Sequence, residues 1–144
     1  MSANRTDVLI VDDNAQDAEL VVEALRRRLP GMTTLVVRDG AEAIAILEDR
    51  PASAAPRVIL LDLKMPKVDG FEVLRRVKGD AKTRSIPVVV LTSSALKSDV
   101  QLAYSLGANS YVVKPMEFEE FTETVGRVAE YWLRIDRGPQ GEGA

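Results

Sequence analysis

Acidic residues follow two of the apolar segments in this chain. Asp12 and Asp13 come directly after Val8–Val11, and Asp62 comes directly after Val58–Leu61. Three carboxylates that meet in one place repel one another unless a cation binds or some of them take up protons. A hard divalent cation such as Mg²⁺ prefers oxygen ligands and keeps several waters, which leaves room for a phosphoryl group. These residues therefore predict a site for a cation and a phosphoryl group.

A hydroxyl and an ammonium group end two further apolar runs. Thr92 follows residues 88–91, and Lys114 with Pro115 follows residues 111–113. Each polar group also has an ordinary interpretation, because acids and threonine cap helices and a lone lysine is usually solvated. Those interpretations do not explain why every central apolar run ends in a group suited to the same ligand. Pro115 also permits a cis peptide, which would aim the Lys114 ammonium back over the acids.

These polar groups can meet if the apolar runs are parallel strands of one sheet. Short runs rich in β-branched residues are typical of strands buried on both faces, and helical patterns between them indicate parallel pairing. The carboxyl ends of such strands share one edge, where open α/β sheets bind ligands. Short, right-handed connections between five strands and five helices favour a flavodoxin-like α/β fold, a doubly wound parallel sheet of strand order 2-1-3-4-5.

Capping residues and glycines mark where the predicted helices begin and end. Asn14, Asp39 and Asp69 precede segments with helical apolar periodicity, and the last two have capping-box spacing to a glutamate. The fourth helix is predicted over residues 94–106, ended by Gly107, and the fifth over residues 118–132. Residues 49–56 are rich in proline and alanine and are predicted to form a surface loop.

The composition is that of one domain with an aliphatic core. The chain has 144 residues, of which 46% are hydrophobic and 5% aromatic, a length and composition that suit a single core. We expect residues 1–5 to be a short N-terminal extension, residues 6–134 to form the domain, and residues 135–144 to be a disordered tail.

The charge and the missing residue types exclude several functions. A net charge of −3 and a pI near 5.1 give no basic surface for nucleic acid or an anionic membrane. No apolar run approaches the roughly 20 residues that cross a bilayer, so we expect a cytoplasmic protein. The absence of cysteine excludes disulfides and thiol catalysis. The absence of histidine excludes imidazole triads, imidazole metal ligands and phosphohistidine on this chain itself.

Further short motifs complete the pattern. They are Met65-Pro66, Asp69-Gly70 and Gly107-Ala108, which join the four polar strand ends. Over about residues 6–133 the combination resembles response-regulator receiver domains of two-component signalling. Within that family, residues 86–94, 103–111 and 131–133 are similar to stand-alone regulators paired with bacterial and cyanobacterial phytochrome kinases.

The resemblance implies that Asp62 is a phosphoacceptor. It would attack the phosphohistidine of a sensor histidine kinase, a bacteriophytochrome being one candidate. The resemblance also implies Mg²⁺, with Mn²⁺ as a substitute, held by Asp13, Asp62 and the backbone carbonyl of Lys64, while Asp12 acts mostly through water. Lys114 would contact one phosphoryl oxygen.

The resemblance implies a switch as well as a phosphorylation site. Thr92 and the backbone amide of Ser93 would contact a second phosphoryl oxygen, and Tyr111 would turn inward when Thr92 moves. This would reshape the face formed by the fourth helix, fifth strand and fifth helix for partner binding, homodimerisation or phosphate relay, without nucleic acid or membrane as partners. Val100 and Tyr104, one turn apart, would form part of a dimer interface if exposed. The side chains of Lys64 and Ser94 would tune the acyl-phosphate lifetime.

Three other functions fit the sequence less well. A phosphohydrolase of the haloacid-dehalogenase type needs an acid two residues after its nucleophile, and Asn14 and Lys64 stand there instead. A flavin or nucleotide site would need a glycine-rich loop after the first strand. A scaffold that is never phosphorylated would not need the complete polar set. We therefore expect no metabolic enzyme, but a phosphoacceptor that catalyses its own phosphorylation and dephosphorylation.

Overall fold

The computed structural model describes residues 6–136, and within them five parallel strands form one sheet. The strand order is β2-β1-β3-β4-β5, which confirms the prediction of a doubly wound, flavodoxin-like sheet. The strands are β1 (Val8–Val11), β2 (Thr34–Val37), β3 (Val58–Leu61), β4 (Val88–Thr92) and β5 (Ser110–Val113).

Helices alternate with the strands along the chain. They are α1 (Ala15–Arg28), α2 (Gly40–Asp49), α3 (Gly70–Gly79), α4 (Lys97–Ser105) and α5 (Phe118–Glu130), with a 3₁₀ turn at Ala52–Ala54 and a π-helical turn at Tyr131–Ile135. The predicted caps are present: Asn14, Asp39 and Asp69 each accept a hydrogen bond from the backbone N–H three residues later. None of the helices within residues 6–136 combines the length and apolar character needed to cross a bilayer.

The boundaries of α4 and of the chain end differ from the prediction. Helix α4 begins at Lys97, three residues later than expected, because the Ser94 hydroxyl accepts a hydrogen bond from the Leu96 N–H, an arrangement that competes with helix formation. Gly107 ends this helix as predicted, with a φ of +107°. The π-helical turn includes Ile135, one residue beyond the expected domain end. The expected extension 1–5 and most of the expected tail lie outside the described residues.

The sheet is covered on both faces, as its continuous apolar strands require. Alternate residues of β1, β3 and β4 pack against α2, α3 and α4 on one face. The intervening residues pack against α1 and α5 on the other. Every residue of these three strands is buried, so the residues that follow them stand on a rigid platform.

Backbone hydrogen bonds fix the polar residues that follow the strands. The Asp12 N–H donates to the Val37 carbonyl at 3.1 Å, and the Asp62 N–H donates to the Val11 carbonyl at 2.9 Å. The Lys114 N–H donates to the Thr92 carbonyl at 2.7 Å. The hydrogen-bond ladder thus continues past the strand ends and brings these residues to the same edge.

Gly70 lies where the loop after β3 packs tightly against the backbone of the strand end. A Cβ at Gly70 would lie 2.2 Å from the Asp62 carbonyl oxygen and 2.6 Å from the Leu63 Cα, both rigid backbone atoms. We expect Gly70→Ala to lower the free energy of unfolding by about 2 kcal/mol or more, measured by urea denaturation. Gly79→Ala is the matched control, since a Cβ at the end of the same helix meets nothing within 4 Å. Equal stability of the two variants would contradict this account.

Candidate functional site

The ammonium of Lys114 lies among three carboxylates at the carboxyl edge of the sheet. Its Nζ is 2.8 Å from Asp17 Oδ2, 2.9 Å from Asp12 Oδ2 and 3.4 Å from Asp62 Oδ2. Burial alone would lower the pKa of Lys114, but the hydrogen bonds to Asp17 and Asp12 outweigh burial and raise this pKa. Lys114 is therefore a permanently charged group inside the site.

Asp12 is the most buried of the acids. Burial raises the pKa of its carboxyl, and hydrogen bonds from Lys114 and from the Asn14 N–H partly offset that effect. A carboxylate in this position costs free energy unless further positive charge is supplied. The site therefore favours binding of a cation.

The acids predicted from the sequence to hold a metal do come together. One carboxylate oxygen from each of Asp12, Asp13 and Asp62 lies within 4.8 Å of the others, and Asp13 is the exposed member. Oxygen ligands at this spacing, open to solvent on one side, suit a hexacoordinate ion that keeps several waters. The Lys64 N–H donates to Asp62 Oδ1 at 3.4 Å, so the turn that carries the Lys64 carbonyl wraps around the phosphoacceptor candidate. The residues present thus fit Mg²⁺ or Mn²⁺.

The two predicted switch residues lie on the neighbouring strands. Thr92 is fully buried at the end of β4, and its Oγ1 accepts a 3.4 Å hydrogen bond from the Ser94 N–H. Tyr111 on β5 is half-buried, and its hydroxyl donates to the Ser94 carbonyl at 2.9 Å. Burial raises the pKa of Tyr111. The loop after β4, which includes the exposed Ser93, is thus held from both strands.

The sequence analysis missed the role of Asp99, in the first turn of α4. Its Oδ2 accepts a 2.6 Å hydrogen bond from the Ser94 hydroxyl and lies 3.1 Å from the Lys64 ammonium. These two groups lower the pKa of Asp99. Asp99 therefore links the turn after β3 to the turn after β4 at the mouth of the site, the two positions expected to tune acyl-phosphate lifetime.

Asp17 is the second residue that the sequence analysis missed. It lies in the first turn of α1, three residues after the cap Asn14, and its carboxylate accepts the shortest of the Lys114 hydrogen bonds. The helix dipole alone accounts for an acid in the first turn of a helix. Nothing in the local sequence therefore indicated that Asp17 contacts a lysine 97 residues away.

Pro115 does not form the cis peptide that the sequence permits. All peptide bonds within residues 6–136 are trans. The Lys114 side chain reaches the acids from the end of β5, whose ladder with β4 already places it at this edge.

Comparison with known proteins identifies the class that this fold and site define. The sequence model of one protein family, the response regulator receiver domain, matches residues 8–126, which is most of the chain. The chain therefore belongs to the response regulator receiver domain family. It is a receiver domain and not a metabolic enzyme.

Two curated relatives match this chain over most of their own length. The chain is 43% identical over 136 residues to the probable methanogenesis regulatory protein FilR2 of Methanothrix harundinacea, a match that covers 92% of this chain and 86% of the relative. It is 36% identical over 129 residues to the response regulator Rcp1 of a Synechocystis species, covering 88% of each.

Two solved structures share the whole fold. The phosphorylated cyanobacterial phytochrome response regulator RcpA superposes with a TM-score of 0.87 at 36% identity, covering 94% of this chain and 99% of RcpA. The Mn²⁺-bound form of the response regulator Rcp1 superposes with a TM-score of 0.83 at 34% identity, covering 92% of this chain and 97% of Rcp1. This chain is thus similar to regulators of phytochrome signalling and to a receiver that binds a divalent metal.

Mg²⁺ is expected to stabilise the fold through the acid cluster. A ligand that binds only the folded state adds about 2.7 kcal/mol at a hundred times its Kd. We expect the melting temperature to rise with Mg²⁺ concentration, and Asp13→Asn to remove most of that rise because it deletes the exposed metal-facing carboxylate. The matched control is Glu19→Gln, which neutralises an exposed acid of α1 outside the cluster. The same Mg²⁺ response in Asp13→Asn and wild type would contradict the metal assignment.

Proposed function

We propose that this protein is a response regulator in which Asp62 accepts a phosphoryl group from the phosphohistidine of a sensor histidine kinase. The observation that carries the proposal is the position of Asp62, buried beside the Lys114 ammonium at 3.4 Å and grouped with two further acids. In a receiver domain, an acid at this strand end is the group available for phosphoryl transfer.

The transfer is a displacement at phosphorus. An oxygen of the Asp62 carboxylate attacks the phosphorus atom, the new O–P bond forms, and the P–N bond to the donor imidazole breaks. The imidazole leaves with the bonding electron pair and takes up a proton. Positioning and neutralisation of charge on the phosphoryl oxygens supply most of the catalysis.

The residues around Asp62 stabilise the phosphoryl group. Lys114 donates to one phosphoryl oxygen, and the Thr92 hydroxyl with the Ser93 N–H donates to another. Asp13, Asp62 and the Lys64 carbonyl would hold Mg²⁺, or Mn²⁺ in its place, and Asp12 would act mostly through water. When bound, the ion would supply positive charge against the phosphoryl oxygens. The Mn²⁺-bound form of Rcp1 supports this assignment.

The same site limits how long the phosphoryl group stays. Hydrolysis requires a water molecule to approach the phosphorus in line with the Asp62 oxygen. The side chains of Lys64 and Ser94, both tied to Asp99, stand at the mouth of the site. Their positions support a role in setting the rate at which the protein removes its own phosphoryl group.

A phytochrome-type histidine kinase is the proposed phosphoryl donor. RcpA, with which the chain shares 36% identity over nearly its full length, is a phytochrome response regulator. The same likeness supports a place in the cytoplasm, where kinases of this class have ATP for their own phosphorylation. The proposed output is contact with another protein, since the net charge of −3 offers no footprint for nucleic acid.

Phosphorylation is read out through the α4-β5-α5 face. We define this face by four exposed apolar side chains on its three elements: Leu102, Tyr104, Val113 and Phe118. Thr92 moves toward the phosphoryl group, the Ser94 carbonyl moves with its loop, and Tyr111, bonded to that carbonyl, follows. Exposed apolar groups of this kind support homodimerisation or docking of a partner.

Asp62→Asn is expected to abolish phosphorylation. The amide cannot attack phosphorus, so incubation with acetyl phosphate and Mg²⁺, or with a phosphorylated histidine kinase, gives no mass increase of one phosphoryl group by intact-protein mass spectrometry. The control Asp49→Asn neutralises an exposed acid at the end of α2 and keeps wild-type labelling. Undiminished Mg²⁺-dependent labelling of Asp62→Asn would overturn the assignment.

Tyr104→Glu is expected to prevent dimerisation of the phosphorylated protein. The Tyr104 side chain is 49% exposed on α4, and a charge there would be desolvated in an apolar interface. Light scattering after treatment with acetyl phosphate and Mg²⁺ should show a dimer for wild type and for Ala41→Glu, which adds the same charge to an exposed position of α2. A wild type that stays monomeric at every concentration, or a dimeric Tyr104→Glu, would contradict dimer signalling.

A further inference from the structure

Asp17 holds the ammonium of Lys114 although it is neither the phosphoacceptor nor a member of the metal-facing acid cluster. The Asp17 contact, at 2.8 Å, is shorter than the 3.4 Å contact between Lys114 and Asp62. In the unphosphorylated protein Lys114 is thus hydrogen-bonded more closely to Asp17 than to Asp62, the proposed phosphoacceptor.

The backbone of Asp17 is held in place by its helix. Its backbone N–H donates to the Asn14 side chain at 3.0 Å, which fixes the first turn of α1. Helix α1 is in turn packed on the sheet beside α5 through a buried apolar face. With its backbone fixed, the short Asp17 side chain can follow Lys114 only by a change of rotamer.

The three donors of the Lys114 ammonium are all engaged. An ammonium group has three N–H bonds, and Lys114 contacts three carboxylates. A phosphoryl oxygen on Asp62 can take over the long 3.4 Å contact to Asp62, but Lys114 can move closer to that oxygen only by lengthening its contact to Asp17 or to Asp12. The Asp17 side chain is 27% exposed and that of Asp12 is 4% exposed, so water can replace the lysine at Asp17 with the smaller desolvation cost.

Asp17 also adds negative charge where a negative donor must approach. With Asp12, Asp13 and Asp62 it makes four carboxylates against the single ammonium that contacts three of them. Because Asp17 lies outside the acid cluster that would hold an ion, its charge opposes the phosphoryl group without helping to hold that ion.

We propose that Asp17 is a positioning residue that restrains Lys114 in the unphosphorylated protein and releases it to the phosphoryl group, which slows phosphorylation of Asp62. This inference rests on the function proposed above. It assigns to α1 a direct part in setting the rate at which the regulator is switched on.

The test compares rates of phosphorylation by acetyl phosphate with Mg²⁺, followed by intact-protein mass spectrometry. Asp17→Asn keeps the shape of the side chain and removes its charge, and we expect phosphorylation to be about threefold to tenfold faster, a modest gain because Asp17 is partly exposed. Asp17→Glu keeps the charge within reach of Lys114 and stays close to the wild-type rate. Glu19→Gln, the same change of net charge on the same helix, also stays at the wild-type rate.

The same comparison in a Lys114→Ala background shows whether Asp17 acts on the phosphorylation rate through Lys114. Wild type and Asp17→Asn are compared again with Lys114→Ala, which phosphorylates more slowly but is followed for longer. The acceleration by Asp17→Asn should disappear there, because the restrained group is gone. Melting temperatures verify that each variant is folded, and Asp17→Ser replaces Asp17→Asn if the latter is not.

The outcomes separate this inference from the proposed function. If wild type is labelled and Asp17→Asn is labelled at the same rate or more slowly, the proposal that Asp17 restrains Lys114 is overturned. The assignment of Asp62 as phosphoacceptor is then unaffected. An equal acceleration in the Lys114→Ala background also overturns the proposed restraint, because the effect would then be bulk charge. A wild type that takes no label on Asp62 overturns both.

Discussion

The charge balance around Lys114 is the constraint on which the site depends. Four carboxylates are gathered at one edge of the sheet, and the ammonium contacts three of them within 3.4 Å. The acids remain together because Lys114 offsets part of their repulsion, and the remaining negative charge attracts a divalent ion. Binding of a divalent ion would therefore offset negative charge that the folded chain leaves uncompensated, before a phosphoryl group brings further negative charge to the site.

The sheet makes such a concentration of charge possible. Strands β1, β3 and β4 are buried along their whole length by helices on both faces, and their parallel register continues as backbone hydrogen bonds to Asp12 and Asp62. The free energy of burying the aliphatic strands greatly exceeds the cost of placing a few acids together at their ends. Stability thus comes from the middle of the sheet, and chemistry is confined to its carboxyl edge.

Sequence patterns predicted the parts of the site that depend on strand ends. Continuous apolar runs identify the buried strands, so Asp12, Asp62 and Thr92 could be assigned to one edge before any coordinates. The roles of Asp17 and Asp99 depend instead on how α1 and α4 pack on the sheet. Tertiary packing determines that arrangement, and the local sequence does not. The late start of α4 has the same origin, since the side-chain hydrogen bonds of Ser94 compete with the helix.

The contacts of Asp99 have a consequence for motion at the mouth of the site. One carboxylate oxygen of Asp99 is shared by the Ser94 hydroxyl and the Lys64 ammonium, which belong to two different turns. Both turns therefore depend on one carboxylate that belongs to neither of them, and loss of Asp99 would release both at once. The order of these turns is thus set by a side chain of α4, the helix that begins only after the second turn ends.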